Sequence, residues 1–267
     1  MIAGVRTIAF VKASACGNDF LLIDSSLVPA PERQDVTRRI CDRHDGVGAD
    51  GVEWMLAHAS ADIEIQLINA DGSEAEISGN GTRCVAAYLF SEQGKEKITI
   101  QTGAGLKICM LSSRSDWEYE FEMAMGSAQV DAELTVKASQ GEMHGIPVST
   151  GNPHFVIFVD EFPNDWQLLA SEIQRSSRFR QGVNVEFVKV EGKHDLRARF
   201  FERGAGETRS SGTGSCASAV ASTSTGRTES PVKVHAPGGT QIVRREGSEI
   251  FLRGPARLLC RGEFFLT

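Results

Sequence analysis

Two short stretches of this chain repeat one another, and the repeat points to a fold built twice. Ser78-Gly79-Asn80-Gly81 runs into Thr82-Arg83-Cys84-Val85-Ala86, and Ser211-Gly212-Thr213-Gly214 runs into Ser215-Cys216-Ala217. Each is a small hydroxyl residue, a glycine-bracketed turn and the opening of a helix-like segment. The two serines stand 133 positions apart (211 minus 78), about half of the 267 residues. A duplicated half carrying the same turn predicts two pseudo-equivalent domains facing a shared cleft. Each would offer a helix N-terminus and one reactive side chain, which suits chemistry on both faces of a single carbon.

Bulk properties exclude several classes. The net charge of -7 argues against a general nucleic-acid binder, which needs a basic face for phosphates. No apolar run approaches the length needed to cross a bilayer, so no membrane partner is expected. The opening MIAGVRTIAFVKAS reads as a strand rather than a signal peptide, and a cytoplasmic address follows as the expectation. The six cysteines (16, 41, 84, 109, 216 and 260) form no C-x-x-C pair and no Cys/His cluster at zinc spacing. Asp45-Gly46-Val47-Gly48-Ala49-Asp50-Gly51 lacks the regular acidic ligands of a calcium loop. No metal site is expected.

Strand signals dominate. They cover Ile8–Val11, Phe20–Asp24, Ile63–Ile68, Ile98–Gln101, Leu106–Leu111 and Trp117–Glu122 in the first half. In the second half they cover Phe155–Val159, Val183–Val190, Leu196–Glu202, Val232–His235, Gln241–Arg244 and Ile250–Arg253. Helical spacing marks Val36–Arg43, Gly81–Glu92 and Asn164–Phe179. Thr213–Ser224 is nearly all Ala, Ser, Thr, Gly and Cys; it reads as a helix that a sheet can approach closely, with a Ser-rich linker as the competing reading. A boundary is expected near 122–128, where WEYEFE gives way to Met125-Gly126-Ser127. The N-terminal half would be residues 1–122, completed by the last strand at 258–267, and the C-terminal half residues 123–257.

Glycines beside a polar residue at a helix start leave backbone N–H groups pointing outward, a site for carboxylate or phosphate. Asparagines next to glycine or proline accompany the two turns, in Gly17-Asn18-Asp19, Asn69-Ala70-Asp71-Gly72, Gly151-Asn152-Pro153-His154 and Gly182-Val183-Asn184. Singly each is a turn former. With Glu202-Arg203-Gly204 at another strand end, they form a candidate cage for a small amino-acid ligand bearing carboxylate and ammonium groups.

These residues resemble the diaminopimelate epimerase family. Asn69-Ala70-Asp71-Gly72-Ser73-Glu74-Ala75-Glu76 with Gly79-Asn80-Gly81-Thr82-Arg83-Cys84 looks like its first signature. Glu202-Arg203-Gly204-Ala205-Gly206-Glu207-Thr208 with Gly212-Thr213-Gly214 looks like its second. The asparagine motifs match in the same order, so the similarity spans nearly the whole chain. The resemblance implies a two-domain α+β fold, each domain a curved, mostly antiparallel sheet around a central helix. It implies cofactor-independent inversion at an α-carbon, interconverting LL- and meso-diaminopimelate on the route to lysine and cell wall. By position, Gly79, Asn80, Gly212 and Thr213 would hold the reacting α-carboxylate. Asn18, Asn69, Asn152, Asn184, Glu202 and Arg203 would hold the ammonium groups and the distal end. The reading is compatible with a homodimer.

One departure stands out. The family's two catalytic bases are cysteines, at the positions filled here by Ser78 and Ser211. A thiol starts near pKa 8.5, and a hydroxyl lies several units higher, so unassisted serines are poor bases. Three accounts stay open: substitution to trap a bound substrate, natural divergence toward other bases or another reaction such as a racemase or lyase, and a silent amino-acid binder. Ile77 and Ser210, where the family pattern carries Met and Ala, favour divergence. His154 and Glu202 are the titratable groups expected to assist.

Overall fold

A computed structural model describes residues 6–266, and expectations touching Met1–Val5 and Thr267 lie outside these residues. The described chain is sheet-rich α+β and divides into two compact units. Unit 1 runs to Met123 and resumes at Gly254; unit 2 is Ala124–Arg253. Among the described residues no helix is long and apolar enough to cross a membrane.

Unit 1 begins with β1 (Arg6–Ala15), β2 (Asn18–Asp24) and α1 (Arg33–Cys41). It continues through β3 (Gly51–Leu56), β4 (Ile63–Asn69), β5 (Glu74–Ala75) and α2 (Gly79–Gln93). Then come β6 (Lys97–Thr102), β7 (Gly105–Ser115) and β8 (Glu118–Ser127), the last carrying the chain into unit 2. Unit 2 contains β9 (Gln129–Val130), β10 (Leu134–Ala138), β11 (Gly141–Ser149), β12 (Pro153–Phe158) and α3 (Trp166–Gln174). It adds β13 (Asn184–Gly192), β14 (Asp195–Glu202), β15 (Gly206–Thr208), α4 (Gly212–Ser224), β16 (Val232–Ala236) and β17 (Gly239–Glu246). Finally β18 (Glu249–Leu266) leads back into unit 1, where its later residues pair with β1. Both junctions thus fall inside strands. Met125-Gly126-Ser127 form the last three residues of β8, and Gly126 takes a φ of 79° that has no Cβ to oppose it.

The two units repeat one hydrogen-bond register. In unit 1, Glu53 pairs with Leu22 in parallel and with Leu67 antiparallel, and Leu67 pairs with Ala75. In unit 2, Glu186 pairs with Val156 in parallel and with Phe200 antiparallel, and Phe200 pairs with Thr208. The offsets are 133 (186 minus 53, 200 minus 67, 208 minus 75) and 134 (156 minus 22). The spacing seen in the two serines is therefore the spacing of whole sheets. A one-residue slip would turn every inward side chain outward, so such agreement reflects a duplicated core.

Each unit carries one central helix. Residues 80–87 of α2 are all buried, and α2 ends at Gly94, whose φ of 69° and N–H bond to Phe90 close the last turn. Residues 214–222 of α4 are likewise all buried, packed against β9, β11, β12, β13, β14, β16 and β17. The small side chains of α4 let the surrounding strands approach its backbone closely. Its hydroxyls are satisfied inside: Ser218 Oγ donates to the Gly214 carbonyl (2.7 Å) and Ser215 Oγ to Gln241 Oε1 (2.8 Å). The linker reading fails for that reason. Helix α3 is shorter than its apolar spacing predicts, because bonds from Ser176 N–H to Ile173 and from Phe179 N–H to Ser176 turn the chain. Strands β3, β10 and β11 have no counterpart in the sequence reading; β3 carries a charged residue in its middle, and the other two are interrupted by Lys, Gly and Pro.

Ala217 is fully buried among Cys216, Val220, Val232 and Leu252. Ala217→Leu should lower stability by roughly 1–3 kcal/mol through overpacking. Urea unfolding measures it, and an unchanged midpoint would show that α4 is not tightly enclosed.

Candidate functional site

Unit 1 sets its candidate residues around a two-residue hairpin. Cys16 and Gly17 take φ values of 49° and 83°, joining β1 to β2 through the Ala15–Asn18 pair. Positive φ at both central residues matches the twist of the flanking strands and fixes Asn18 as the first residue of β2. Asn18 Nδ2 donates to Asp50 Oδ2 (3.1 Å), and its Oδ1 accepts from Asn80 Nδ2 (2.6 Å) in the first turn of α2. Asn80 Oδ1 accepts in turn from the buried guanidinium of Arg83. Asn69 ends β4 opposite Gly51, with its amide bonded to Ser73 Oγ (3.0 Å) in the 69–73 turn.

Ser78 is the N-cap of α2. Its backbone is extended (φ -119°, ψ 119°), and Oγ accepts the Gly81 N–H at 3.1 Å. Beneath that turn lies Glu53 of β3, with no exposed surface. A Cβ on Gly81 would sit 1.9 Å from Glu53 Oε1, so only glycine fits there. Neither carboxyl oxygen of Glu53 has a hydrogen-bond partner. Burial alone pushes its pKa up to about 8, so the carboxyl is predominantly neutral at pH 7.

Unit 2 repeats this plan with different partners. Ser211 caps α4, accepting the Gly214 N–H at 3.1 Å. Fully buried Glu186 lies beneath, 3.0 Å from where a Gly214 Cβ would be. Burial pushes the Glu186 carboxyl up, and the neighbouring His154 offsets only part of that rise. His154 Nδ1 meets Glu186 Oε1 at 2.6 Å, and Nε2 meets Asn152 Oδ1 at 3.0 Å. Asn152 Nδ2 reaches Thr213 Oγ1 at 3.4 Å. The imidazole, 1% exposed, is thus committed to holding Asn152 within its own unit. Asn184 Oδ1 accepts the Arg203 N–H (2.9 Å), and its Nδ2 donates to the Pro153 carbonyl (3.2 Å). Arg203 Nη1 bonds the Gln181 carbonyl (2.6 Å), and Glu202 accepts from Thr208 Oγ1 (2.9 Å). Gly212 sits under Leu252 in the first turn of α4.

The structure therefore gathers Asn18, Ser78, Gly79 and Asn80 around the start of α2, with Asn69 held in its own turn. It gathers Asn152, His154, Ser211, Gly212 and Thr213 around the start of α4, and links Asn184 to Arg203. Cys84 and Cys216 are fully buried packing residues, and burial raises the Cys84 thiol well above its ordinary range. Asp50, Glu53, Arg83 and Glu186 are functional candidates absent from the sequence reading. A usable signal existed for two of them. Glu53 and Glu186 share the 133-residue spacing, and each is a lone carboxyl in an apolar strand, GVEWML and NVEFV.

Two outcomes are expected. Ser211→Ala removes the α4 cap and should cost about 1 kcal/mol; an unaltered urea midpoint would mean the cap bond contributes nothing. Glu53 holds its proton in the folded state up to about pH 8 but ionises above about 4.5 once unfolded. Its contribution to stability is therefore full below pH 4.5 and is lost as pH rises toward 8, by up to roughly 5 kcal/mol. Glu53→Gln should flatten that fall relative to the parent between pH 5 and 8; parallel stability curves would sink the assignment.

The model of a family described as "Diaminopimelate epimerase" matches residues 10–130 and 146–259. A diaminopimelate epimerase of Desulfitobacterium hafniense is 34% identical, covering 94% of this chain and 96% of its own. One from Elusimicrobium minutum is 36% identical, covering 96% and 98%. Among solved structures, a phenazine biosynthesis protein of the PhzF family from Bacillus anthracis superposes with a TM-score of 0.76 at 18% identity, over 96% of this chain and 98% of that one. A hydroxyproline epimerase from Agrobacterium vitis gives 0.74 at 16% identity, over 98% and 93%. These two share the fold. With its Ser-capped turns set in the matched segments, the chain belongs to the diaminopimelate epimerase family.

Proposed function

We propose that this protein is a cofactor-independent isomerase that inverts the α-carbon of diaminopimelate between its LL and meso forms, serving lysine and cell-wall synthesis. The reading is carried by the recurrence of one capped turn, over one register, in both units. The names of the relatives at 34–36% identity support the substrate. In this reading the N–H groups at Gly79, Asn80, Gly212 and Thr213 take the α-carboxylate and stabilise the enolate-like charge that grows when the α-proton leaves. Asn18, Asn69, Asn152, Asn184, Glu202 and Arg203 hold the ammonium groups and the distal end. One turn receives the α-proton, and the other delivers a proton to the opposite face.

Ser78 and Ser211 occupy the two base positions. A hydroxyl about five pKa units above a thiol raises the barrier by roughly 7 kcal/mol, about 10⁵-fold in rate. Turnover is therefore slow in this reading. The same pair of serines favours a second reading, a silent amino-acid binder on the epimerase scaffold. Deuterium uptake at the α-carbon in D₂O separates them. The paired change Ser78→Cys with Ser211→Cys should raise exchange with inversion by roughly 10⁴–10⁵-fold. Binding without exchange in both parent and double variant would establish the silent binder instead.

A further inference from the structure

We propose that Glu53 is a positioning residue: its protonated carboxyl leaves the start of α2 open to a ligand carboxylate, and its ionisation closes that helix start to anions. The inference rests on the role proposed above for the N–H groups of Gly79 and Asn80.

The placement carries the argument. Glu53 has no exposed surface, and its Oε1, Cδ and Cγ lie 1.9, 2.9 and 3.3 Å from where a Gly81 Cβ would be. The carboxyl is thus pressed against the first turn of α2 from the side of the sheet. The N–H groups of that turn go elsewhere. Gly81 gives its N–H to Ser78 Oγ (3.1 Å), and Thr82 gives its N–H to the Ser78 carbonyl (2.8 Å). Glu53 receives neither, and among the described residues neither of its oxygens has a hydrogen-bond partner. In unit 2 the residue at the same register, Glu186, has His154 Nδ1 at 2.6 Å, so the lone carboxyl belongs to unit 1.

The titratable and charged groups of the surrounding elements do not bond it. Level with Glu53, β2 presents Leu22 and β4 presents Leu67. Two residues further along β2, Asp24 is exposed and accepts the Ser26 N–H. On α2, Arg83 directs Nη2 to Asn80 Oδ1 and Nε to the Pro255 carbonyl, with Cys16 Sγ 4.0 Å from Nη2. Cys84 is buried, which raises its thiol and keeps it neutral. Trp54 points to the opposite face of β3, where it bonds Thr37 Oγ1 and carries Arg33 over its ring. Asp50, at the foot of β3, is tied to Arg43, which also holds Asp19 beside Lys12.

The consequence is electrostatic. A carboxylic acid under the helix start carries no net charge, so the partial positive charge of the first N–H groups stays available to a ligand. A carboxylate in the same place would be a full negative charge, buried, beneath those N–H groups. It would take up their field and repel a second anion bound on the outside, and the growing enolate-like charge would meet the same repulsion. Linkage makes the effect reciprocal: a bound anion strengthens the hold of Glu53 on its proton by the same factor. Glu53 keeps that proton up to about pH 8. The helix start is therefore open to anions below that pH and closes above it.

The test uses the whole protein, ¹³C-labelled, with inorganic sulfate as the probe because its charge is constant across the range. Sulfate affinity is read at the Gly79 α-carbon, and ionisation at the Glu53 carboxyl carbon. In the parent, affinity should fall about tenfold between about pH 7 and about pH 9, whereas Glu53→Gln, which cannot ionise, should give a flat profile. A purely structural Glu53 would alter the stability of the variant and leave the two affinity profiles parallel; parallel profiles overturn the proposal. Should Glu53→Gln fail to fold, the parent alone decides. Saturating sulfate should move the midpoint of the Glu53 carboxyl signal up by about one pH unit, and an unmoved midpoint overturns the proposal. Diaminopimelate is titrated alongside, and the ratio of parent to variant affinity removes the titration of the ligand itself. That ratio should show the same loss above pH 8, and it decides the matter if diaminopimelate alone binds. If sulfate follows the expected profile while diaminopimelate does not bind, the inference stands and the proposed function falls. If neither perturbs Gly79, both fall.

Discussion

The bond from a serine Oγ to the N–H three residues on is the interaction around which each unit is organised. It closes the first turn of the enclosed helix at Ser78–Gly81 and again at Ser211–Gly214. The cap sets where the helix starts and which N–H groups face outward. It also holds the hydroxyl in one place. The glycine at the third position follows from the sheet beneath, since a side chain at Gly81 would overlap Glu53, and one at Gly214 would overlap Phe200 and Glu186.

Placing a carboxyl under each helix start is costly for stability. An isolated, buried, ionised carboxylate is among the least favourable groups a fold can hold, so it protonates or finds a counter-charge. The two units answer differently. Glu53 has no partner and is neutral near pH 7, whereas Glu186 bonds His154, which holds Asn152 in turn. The sheets match in register, yet the polar surroundings of the two serines differ.

Much of this was legible in advance. The 133-residue recurrence of Ser-Gly-x-Gly predicted a duplication, and the register of Glu53 and Glu186 against their neighbours repeats at the same interval. The small-residue stretch of α4 read as an enclosed helix because small side chains all round let neighbouring strands approach its backbone closely. Other elements were hidden by local chemistry. GVEWML looks like a poor strand, because a carboxylate interrupts it, and its neutral state is set by burial that no local pattern encodes.

The sequence by itself determined the duplication, the two capped turns, the residue types around them and the family to which they belong. These are matters of order and spacing along one dimension. Only the tertiary structure decided which groups meet. Asp50 reaches Asn18 across 32 positions, and Asn18 reaches Asn80 across 62. Hydrogen-bond direction and the charge of a buried acid depend on what stands within about 3 Å, and that is a property of the folded chain.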